Sequence, residues 1–170
     1  MRKRDFEIVI FLTSSLSYLE SCGVEGFIPM EKSLLAKGGK RVVCLKPAIH
    51  NLIFIKADIH ELRRLKSALP YLHNRLVESE ETLRPIVVPT LEMEQFIHAT
   101  QLLQDSIHYV DLSVSRLERG TPVRITGGDF QGYQGELAKI KGKRDRRVTI
   151  NISGILAYRI DVCATLIERL

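Results

Sequence analysis

The sequence predicts an α+β protein in which a mostly antiparallel sheet with packed helices is followed by a small β-barrel. Three observations lead to this prediction. Residues 6–105 alternate short, apolar, β-branched runs with stretches of helical spacing. Residues 118–170 contain four strand-like runs and no helical pattern. The glycine-containing segments between those runs are typical of tight turns.

Patterns of apolar residues place the first elements in the order β-α-β-β-β-α-β-α, which indicates one sheet with helices packed on it. Gly38-Gly39 is the predicted tip of a hairpin, because this dipeptide permits positive φ angles. Asp58 and Glu61 predict a capping box at the start of a helix that Pro70 ends. The predicted segments are 6–12, 14–22, 24–30, a hairpin over 30–46, 48–57, a helix from Asp58, 84–89 and a helix over 90–105.

The last third of the chain has a different pattern, with short predicted strands and no predicted helix. Short strands are predicted at 122–126, 135–140, 146–152 and 155–161. Val148, Ile150 and Ile152 alternate with polar residues, so one face of that strand is expected to be buried. Strands this short and closely spaced predict an SH3-like barrel. The expected organisation is an N-terminal domain at 1–105, a linker at 106–117 and the barrel at 118–170.

Basic residues exceed acidic ones unevenly along the chain. The whole chain has 25 Lys and Arg against 20 Asp and Glu, a formal net charge of +5. Residues 1–117 hold 15 basic and 14 acidic residues, and residues 118–170 hold the remaining 10 and 6. This excess favours a polyanionic partner for the C-terminal part, with a solvated basic face as the alternative.

Cysteines and histidines lack the spacing of metal sites. Cys22, Cys44 and Cys163 are far apart, odd in number and without a C-x-x-C pattern, so we expect reduced thiols. No nucleophile and base stand at a spacing that indicates catalysis. The sequence therefore predicts no metal, no cofactor and no enzymatic activity.

The N-terminal stretch is too short to be a secretion signal. Its apolar run, Ile8–Leu12, is five residues long and follows Asp5 and Glu7, whereas a signal needs about 7–15 apolar residues. No other stretch is long and apolar enough to span a membrane. We therefore expect a cytoplasmic protein without a membrane partner.

The glycines between Gly120 and Arg147 are spaced like those of a phosphate-binding loop, but the residues that bind phosphate in such a loop are missing. Such a loop requires G-x-x-x-x-G-K-[ST] between a strand and a helix. Tyr133 and Gln134 stand where the lysine and the hydroxyl residue must be, and a strand-like run follows. A dinucleotide-binding fingerprint fails as well, because no G-x-G precedes a helix. Turns of a small barrel are the better interpretation.

The segment VRITGGDFQGYQGELAKI closely resembles the KOW motif, a glycine-containing strand–turn–strand of small barrels that bind RNA or proteins. The resemblance implies that alternating apolar residues point inward and that the glycines form the turns. The matching residues are Val123, Ile125, Gly128, Phe130, Gly132, Gly135 and Leu137.

Two earlier segments resemble the N-terminal domain of NusG-like transcription factors. VEGFIPMEKSLLAKGGKRVVCLKPAIHNLIFIKA is similar to the middle of that domain, and RPIVVPTLEMEQFIHA to its last strand and helix. The closest likeness is to the NusG paralogues that act as antiterminators of capsular-polysaccharide operons. The resemblance extends from Val24 to the C-terminus.

This resemblance implies a transcription elongation and antitermination factor that binds RNA polymerase. It implies a polymerase contact at Ile49, His50, Asn51 and Leu52; the alternative is that Ile49 and Leu52 are ordinary core residues. It also implies that the hairpin tip faces the polymerase cleft or the nontemplate DNA strand, a solvated turn being the alternative. The tip comprises Lys37, Gly38, Gly39, Lys40 and Arg41.

The barrel carries a cluster of basic residues in the turn after its second strand. These are possible contacts to nascent RNA or another nucleic acid: Lys141, Lys143, Arg144, Arg146 and Arg147. In relatives the barrel more often recruits a protein, either a ribosomal protein or the termination factor Rho. The alternative function is therefore an RNA-binding or ribosome-associated module that acts through the basic barrel.

Overall fold

The α+β prediction is confirmed. The structure, a computed structural model, describes residues 6–10, 16–79, 82–112, 120–138 and 146–170. Contacts divide the chain into two compact units, an N-terminal unit of Met1–Met93 and a C-terminal unit of Glu94–Leu170.

The described part of the N-terminal unit consists of short β-strands and three helical segments. Its elements are β1 (Phe6–Ile10), α1 (Leu16–Ser21), β2 (Glu25–Phe27), β3 (Met30–Lys37), β4 (Lys40–Pro47), β5 (Leu52–Lys56), α2 (Ile59–Ala68), β6 (His73–Asn74), β7 (Leu76–Ser79), β8 (Thr82–Pro85), β9 (Val87–Val88) and the start of α3 (Thr90–Leu103). The sheet has the antiparallel order β2-β5-β1-β6, with β9 also pairing with β1. The pairs β3–β4 and β7–β8 form two separate ribbons.

The central strand β5 is buried on both faces, as its unbroken apolar sequence predicts. Ile53 and Ile55 belong to a core cluster with Leu62 and Leu65 of α2, while Phe54 packs at a tilt against another ring of the unit. The predicted capping box at the start of α2 is confirmed. The Asp58 carboxylate accepts the backbone N–H groups of His60 (2.8 Å) and Glu61 (2.9 Å), and the Glu61 carboxylate accepts that of Asp58 (3.0 Å).

The C-terminal unit contains a six-stranded antiparallel sheet and the remainder of α3. Its strands are β10 (His108–Asp111), β11 (Thr121–Ile125), β12 (Gln134–Ala138), β13 (Arg146–Ile152), β14 (Leu156–Val162) and β15 (Ile167–Arg169), in the order β10-β14-β13-β12-β11-β15. The buried face predicted for Val148, Ile150 and Ile152 is present. The Phe96 ring of α3 packs 5.1 Å, centroid to centroid, from the buried ring of Tyr158.

The predicted linker at 106–117 differs from the structure, because His108–Asp111 form β10 and pair with β14. The physical reason is that, without β10, strand β14 would be the edge of the sheet, and its unpaired backbone groups are satisfied by this short run. The predicted domain boundary also differs: the contacts divide the chain after Met93, within α3, rather than after residue 105. Residues 113–117 of the predicted linker and the first two residues of the predicted barrel lie outside the described residues.

Candidate functional site

The predicted hairpin tip is present, with the geometry that its glycines require. Lys37 is paired with Lys40, so Gly38 and Gly39 alone make the turn, at φ angles of 57° and 77°. A two-residue turn with positive φ at both positions matches the twist of an antiparallel ribbon, and glycine adopts it without strain. The side chains of Lys37, Lys40 and Arg41 are all exposed. The tip therefore presents three cations to solvent.

The stem below this tip has two different faces. Residues paired across an antiparallel ribbon share a face, and successive residues alternate between faces. The register places Met30, Leu34, Val43 and Leu45 on one side, which we call the apolar face; all four side chains are exposed. The opposite side, which we call the polar face, carries the Lys46–Glu31 ion pair (3.0 Å) and both lysines of the tip, together with the exposed apolar pair Leu35 and Val42.

The structure divides the predicted polymerase contact at 49–52 into core and surface residues. Ile49 and Leu52 are buried, Leu52 with only 4% of its side chain exposed. His50 is exposed and Asn51 half-buried. Asn51 has a φ of 56°, a left-handed conformation that asparagine tolerates better than most residues. Ile49 and Leu52 therefore shape the turn from within, and the surface at this turn is formed by His50 and Asn51.

The residues that match the KOW motif lie on β11, on β12 and in the turn between these strands. Val123 and Ile125 are completely buried, while Leu137 is half-buried. Gly128 and Gly132 have φ angles of 76° and 87°, which explains glycine at both turns.

Gly135 is required for a different reason. A Cβ atom there would lie 2.5 Å from the Thr149 carbonyl oxygen and 2.8 Å from a Val148 methyl carbon, so β12 and β13 approach too closely for a side chain. This glycine therefore serves the packing of the sheet rather than a turn.

The two aromatic residues of the motif turn differ in burial. Phe130 is half-buried, whereas Tyr133 is only 5% exposed. The Tyr133 hydroxyl donates to the Gln95 carbonyl oxygen (2.9 Å) and lies 2.8 Å from Nδ1 of His98. Helix α3 supplies both partners, and nothing in the local sequence around Tyr133 indicates them.

Burial raises the pKa of Tyr133 above its ordinary value of 10.0. A raised pKa in the folded state means that folding favours the neutral phenol. The stability that this group contributes is therefore fully present below pH 10.0 and is lost as the pH rises through the raised pKa.

Replacing Tyr133 with phenylalanine is expected to destabilise the C-terminal unit by about 1–2 kcal/mol, because two hydrogen bonds are lost and the Gln95 carbonyl loses a partner. Urea unfolding followed by circular dichroism measures this loss. The matched control is Tyr71→Phe, at an exposed tyrosine of the N-terminal unit, which should change stability by less than about 0.5 kcal/mol. Equal effects of the two substitutions would contradict the role assigned to the Tyr133 hydroxyl.

The described residues of the predicted basic turn, Arg146 and Arg147, lie at the start of β13. Lys141, Lys143 and Arg144 lie outside the described residues. Arg146 is half-buried, and the Arg147 guanidinium donates to the Asp161 carboxylate at 2.9 Å. This hydrogen bond, together with the opposite charge, raises the pKa of Arg147 above its ordinary value.

Neither a metal cluster nor a spanning helix occurs in the part of the chain that the structure describes. No three His, Cys, Asp or Glu side chains there are grouped so that they could hold a metal ion. No helix among those residues has the length and apolarity needed to cross a membrane.

Neither a protein-family model nor a curated protein matches this sequence. Sixteen chains of solved structures match it, among them the following two. NusG of Thermotoga maritima, from a structure of its domain interaction, is 17% identical with a TM-score of 0.50, and the alignment covers 99% of this chain and 98% of that one. An Spt4:Spt5 complex (MjSpt4:Spt5, conformation B) is 13% identical over 97% and 96% of the two chains, but its TM-score of 0.24 is too low to carry an argument. The chain therefore has a NusG-like fold over nearly its whole length.

Proposed function

We propose that this protein is a transcription elongation factor that binds RNA polymerase and suppresses pausing or termination. The observation that carries the proposal is the NusG-like fold over nearly the whole chain. The exposed cationic tip of the β3–β4 ribbon supports it, because this tip suits a partner that contains nucleic acid. The protein would act by binding rather than catalysis, without a cofactor, in the cytoplasm where the polymerase is found.

The N-terminal unit supplies the proposed contacts to the elongation complex. His50 and Asn51 form the exposed surface of the turn that resembles the polymerase contact of NusG-like factors. Lys40 and Arg41 lie at the ribbon tip, where they would meet the polymerase cleft or the phosphates of the nontemplate strand. Ile49 and Leu52 would contribute indirectly, by holding the turn from within the core.

Within this class, the proposed type is an antiterminator like those of capsular-polysaccharide operons. The segments IHNLIFIKA and VPTLEMEQF support this type through their likeness to those factors. The C-terminal barrel would bind a ribosomal protein, Rho or nascent RNA. Because Arg147 is paired with Asp161, a protein partner is favoured over phosphate contacts at that residue.

The proposal is tested with the purified full chain and a reconstituted elongation complex. We expect the chain to bind the complex and to shorten the lifetime of paused complexes in single-round transcription. Filter binding to free RNA over a range of salt concentrations is measured in parallel. RNA binding with a steep salt dependence, together with no polymerase binding at low salt, would overturn the proposal in favour of an RNA-binding module.

Reversing the charges of the ribbon tip, with Lys40→Glu and Arg41→Glu together, is expected to weaken the suppression of pausing. The reason is that carboxylates would repel the phosphates of the nontemplate strand. The matched control is Arg63→Glu with Arg64→Glu, which makes the same change in charge at exposed positions of α2. If the two double variants lose activity equally, net charge rather than the tip is responsible.

A further inference from the structure

The β3–β4 ribbon is paired without interruption from its base to its tip. Eight residue pairs run from Met30–Pro47 to Lys37–Lys40 in a single register, with no bulge between them. Successive pairs of an antiparallel ribbon are about 3.4 Å apart along the strand, so the tip lies about 24 Å from the base. The number of pairs therefore sets the length of the ribbon.

The outer half of the ribbon is exposed on both faces. Every residue from Leu34 to Val43 is exposed, and β3 and β4 pair only with each other among the described strands. A two-stranded ribbon is marginally stable by itself, so this half depends on contacts within the ribbon. Two cross-strand aliphatic pairs provide them, one on each face: Leu34 with Val43, and Leu35 with Val42. These exposed aliphatic side chains are thus explained by the ribbon itself.

The register of the ribbon is fixed at both ends. At the tip, Gly38 and Gly39 occupy the two turn positions, where φ is positive (57° and 77°). At the base, the Ala48 N–H donates to the Pro29 carbonyl oxygen (2.8 Å). A slip of one residue would place a lysine in a turn position that favours glycine and would move side chains to the opposite face. The ribbon therefore has one length.

The two ends of the ribbon have different chemistry. His50, in the proposed polymerase contact, lies three residues after the end of β4. The tip carries three exposed cations, Lys37, Lys40 and Arg41. Residues 30–47 contain no aromatic residue, so the tip is suited to phosphates rather than to stacked bases. The ribbon thus connects a contact for protein with a contact for phosphates.

We propose that the β3–β4 ribbon is a spacer of fixed length, which sets the distance between the polymerase contact at its base and the nontemplate-strand phosphates at its tip. This inference rests on the proposed function and deepens it. Once the base has bound the polymerase, the length of the ribbon determines which phosphates the three cations reach. The two aliphatic pairs are then positioning residues, because they act through the tip.

Shortening the ribbon by two residue pairs tests this role. Deleting residues 34, 35, 42 and 43 brings the tip about 7 Å closer to the base. Because two residues leave each strand, every remaining side chain stays on its face. A photo-crosslinking amino acid is placed at Ala36, an exposed position next to the tip, in the full chain with and without the deletion. Crosslinks to the nontemplate strand are then mapped in a reconstituted elongation complex.

We expect the parent ribbon to crosslink to one or two adjacent nucleotides of the nontemplate strand. The shortened ribbon should crosslink there at less than about a third of the parent's yield, and the remaining crosslinks should be displaced by about two nucleotides, since a duplex strand advances about 3.4 Å per nucleotide. A ribbon lengthened by two threonine pairs, inserted after position 35 and before position 42, should displace them in the opposite direction. This second variant tests the spacer even if the shortened ribbon does not pair.

The matched control keeps the length of the ribbon and changes its side chains. In it, Leu34, Leu35, Val42 and Val43 are all replaced by threonine, which also favours strands, so the eight pairs are retained. We expect this variant to crosslink to the same nucleotides as the parent, with a yield within about twofold. Amide NMR signals of Gly38 and Gly39 verify that the hairpin is formed in each variant.

Three results would overturn the inference. They are crosslinks from the shortened or lengthened ribbon that match the parent's in position and yield, an equal loss of crosslinks in the threonine control, and crosslinks from the parent to a polymerase subunit instead of DNA. If the parent chain binds the elongation complex and its crosslinks do not depend on ribbon length, only this inference fails. If the parent chain does not bind the complex, the proposed function fails with it.

Discussion

Replacing Leu52 with aspartate is expected to unfold the N-terminal unit. Leu52 is 4% exposed at the start of β5, where its backbone pairs with Ile10 of β1. A carboxylate at this position would lose its hydration without a charged partner, a change that costs about 4 kcal/mol or more. Domains of this size have a stability of about 5–15 kcal/mol, so most of it would be lost. Urea unfolding followed through the amide NMR signals of β5 and α2 measures the change.

The matched control is His50→Asp, two residues earlier in the same turn. His50 is exposed, so its replacement should change stability by less than about 0.5 kcal/mol. Under the proposed function, His50→Asp weakens polymerase binding while the fold stays intact. A folded Leu52→Asp variant that has lost polymerase binding would contradict this assignment and make Leu52 a surface contact.

Replacing Gly135 with alanine is expected to destabilise the C-terminal sheet by about 3 kcal/mol. The added Cβ would lie 2.5 Å from the Thr149 carbonyl oxygen, and a backbone atom cannot rotate away as a side chain can. Strand β12 must therefore move from β13, which lengthens the hydrogen bonds between them. The measurement is urea unfolding of the full chain, followed through the amide signals of β12 and β13.

The variant Gly132→Ala is the control for Gly135→Ala, because glycine at position 132 is explained by its backbone conformation and not by the close approach of another strand. Gly132 has a φ of 87°, and no atom lies within 4 Å of a Cβ built there. Its replacement should cost about 1 kcal/mol, the strain of an alanine with positive φ. If Gly132→Ala is as destabilising as Gly135→Ala, turn conformation rather than strand spacing is the main constraint on these glycines.

Local patterns predicted the elements that depend on neighbouring residues. The capping box of Asp58 and Glu61 and the turn at Gly38-Gly39 are determined within four residues of chain, and both are confirmed. The strand at 146–152 was predicted with its observed bounds, because its alternation of apolar and polar residues is strict. The β7–β8 ribbon and β15 were missed, because their short runs lack a comparable alternation.

The surface was less predictable than the elements. The resemblance placed four consecutive residues, 49–52, in one contact, but packing buries Ile49 and Leu52. Whether an apolar residue in a turn is covered depends on elements distant in the chain. The same applies to Tyr133, whose hydroxyl finds its partners in α3, more than thirty residues away.

By itself, the sequence determined the α+β class, the cationic hairpin tip and the glycine turns of the barrel. Each of these follows from short-range physics: alternation of apolar residues, side-chain caps and the φ angles open to glycine. Only the tertiary structure decided that Leu52 and Tyr133 are buried while Leu34, Val43 and Leu45 are exposed. The reason is that burial is set by the elements that pack around a residue: Leu52 lies in β5, between two paired strands, whereas β3 and β4 pair only with each other among the described strands.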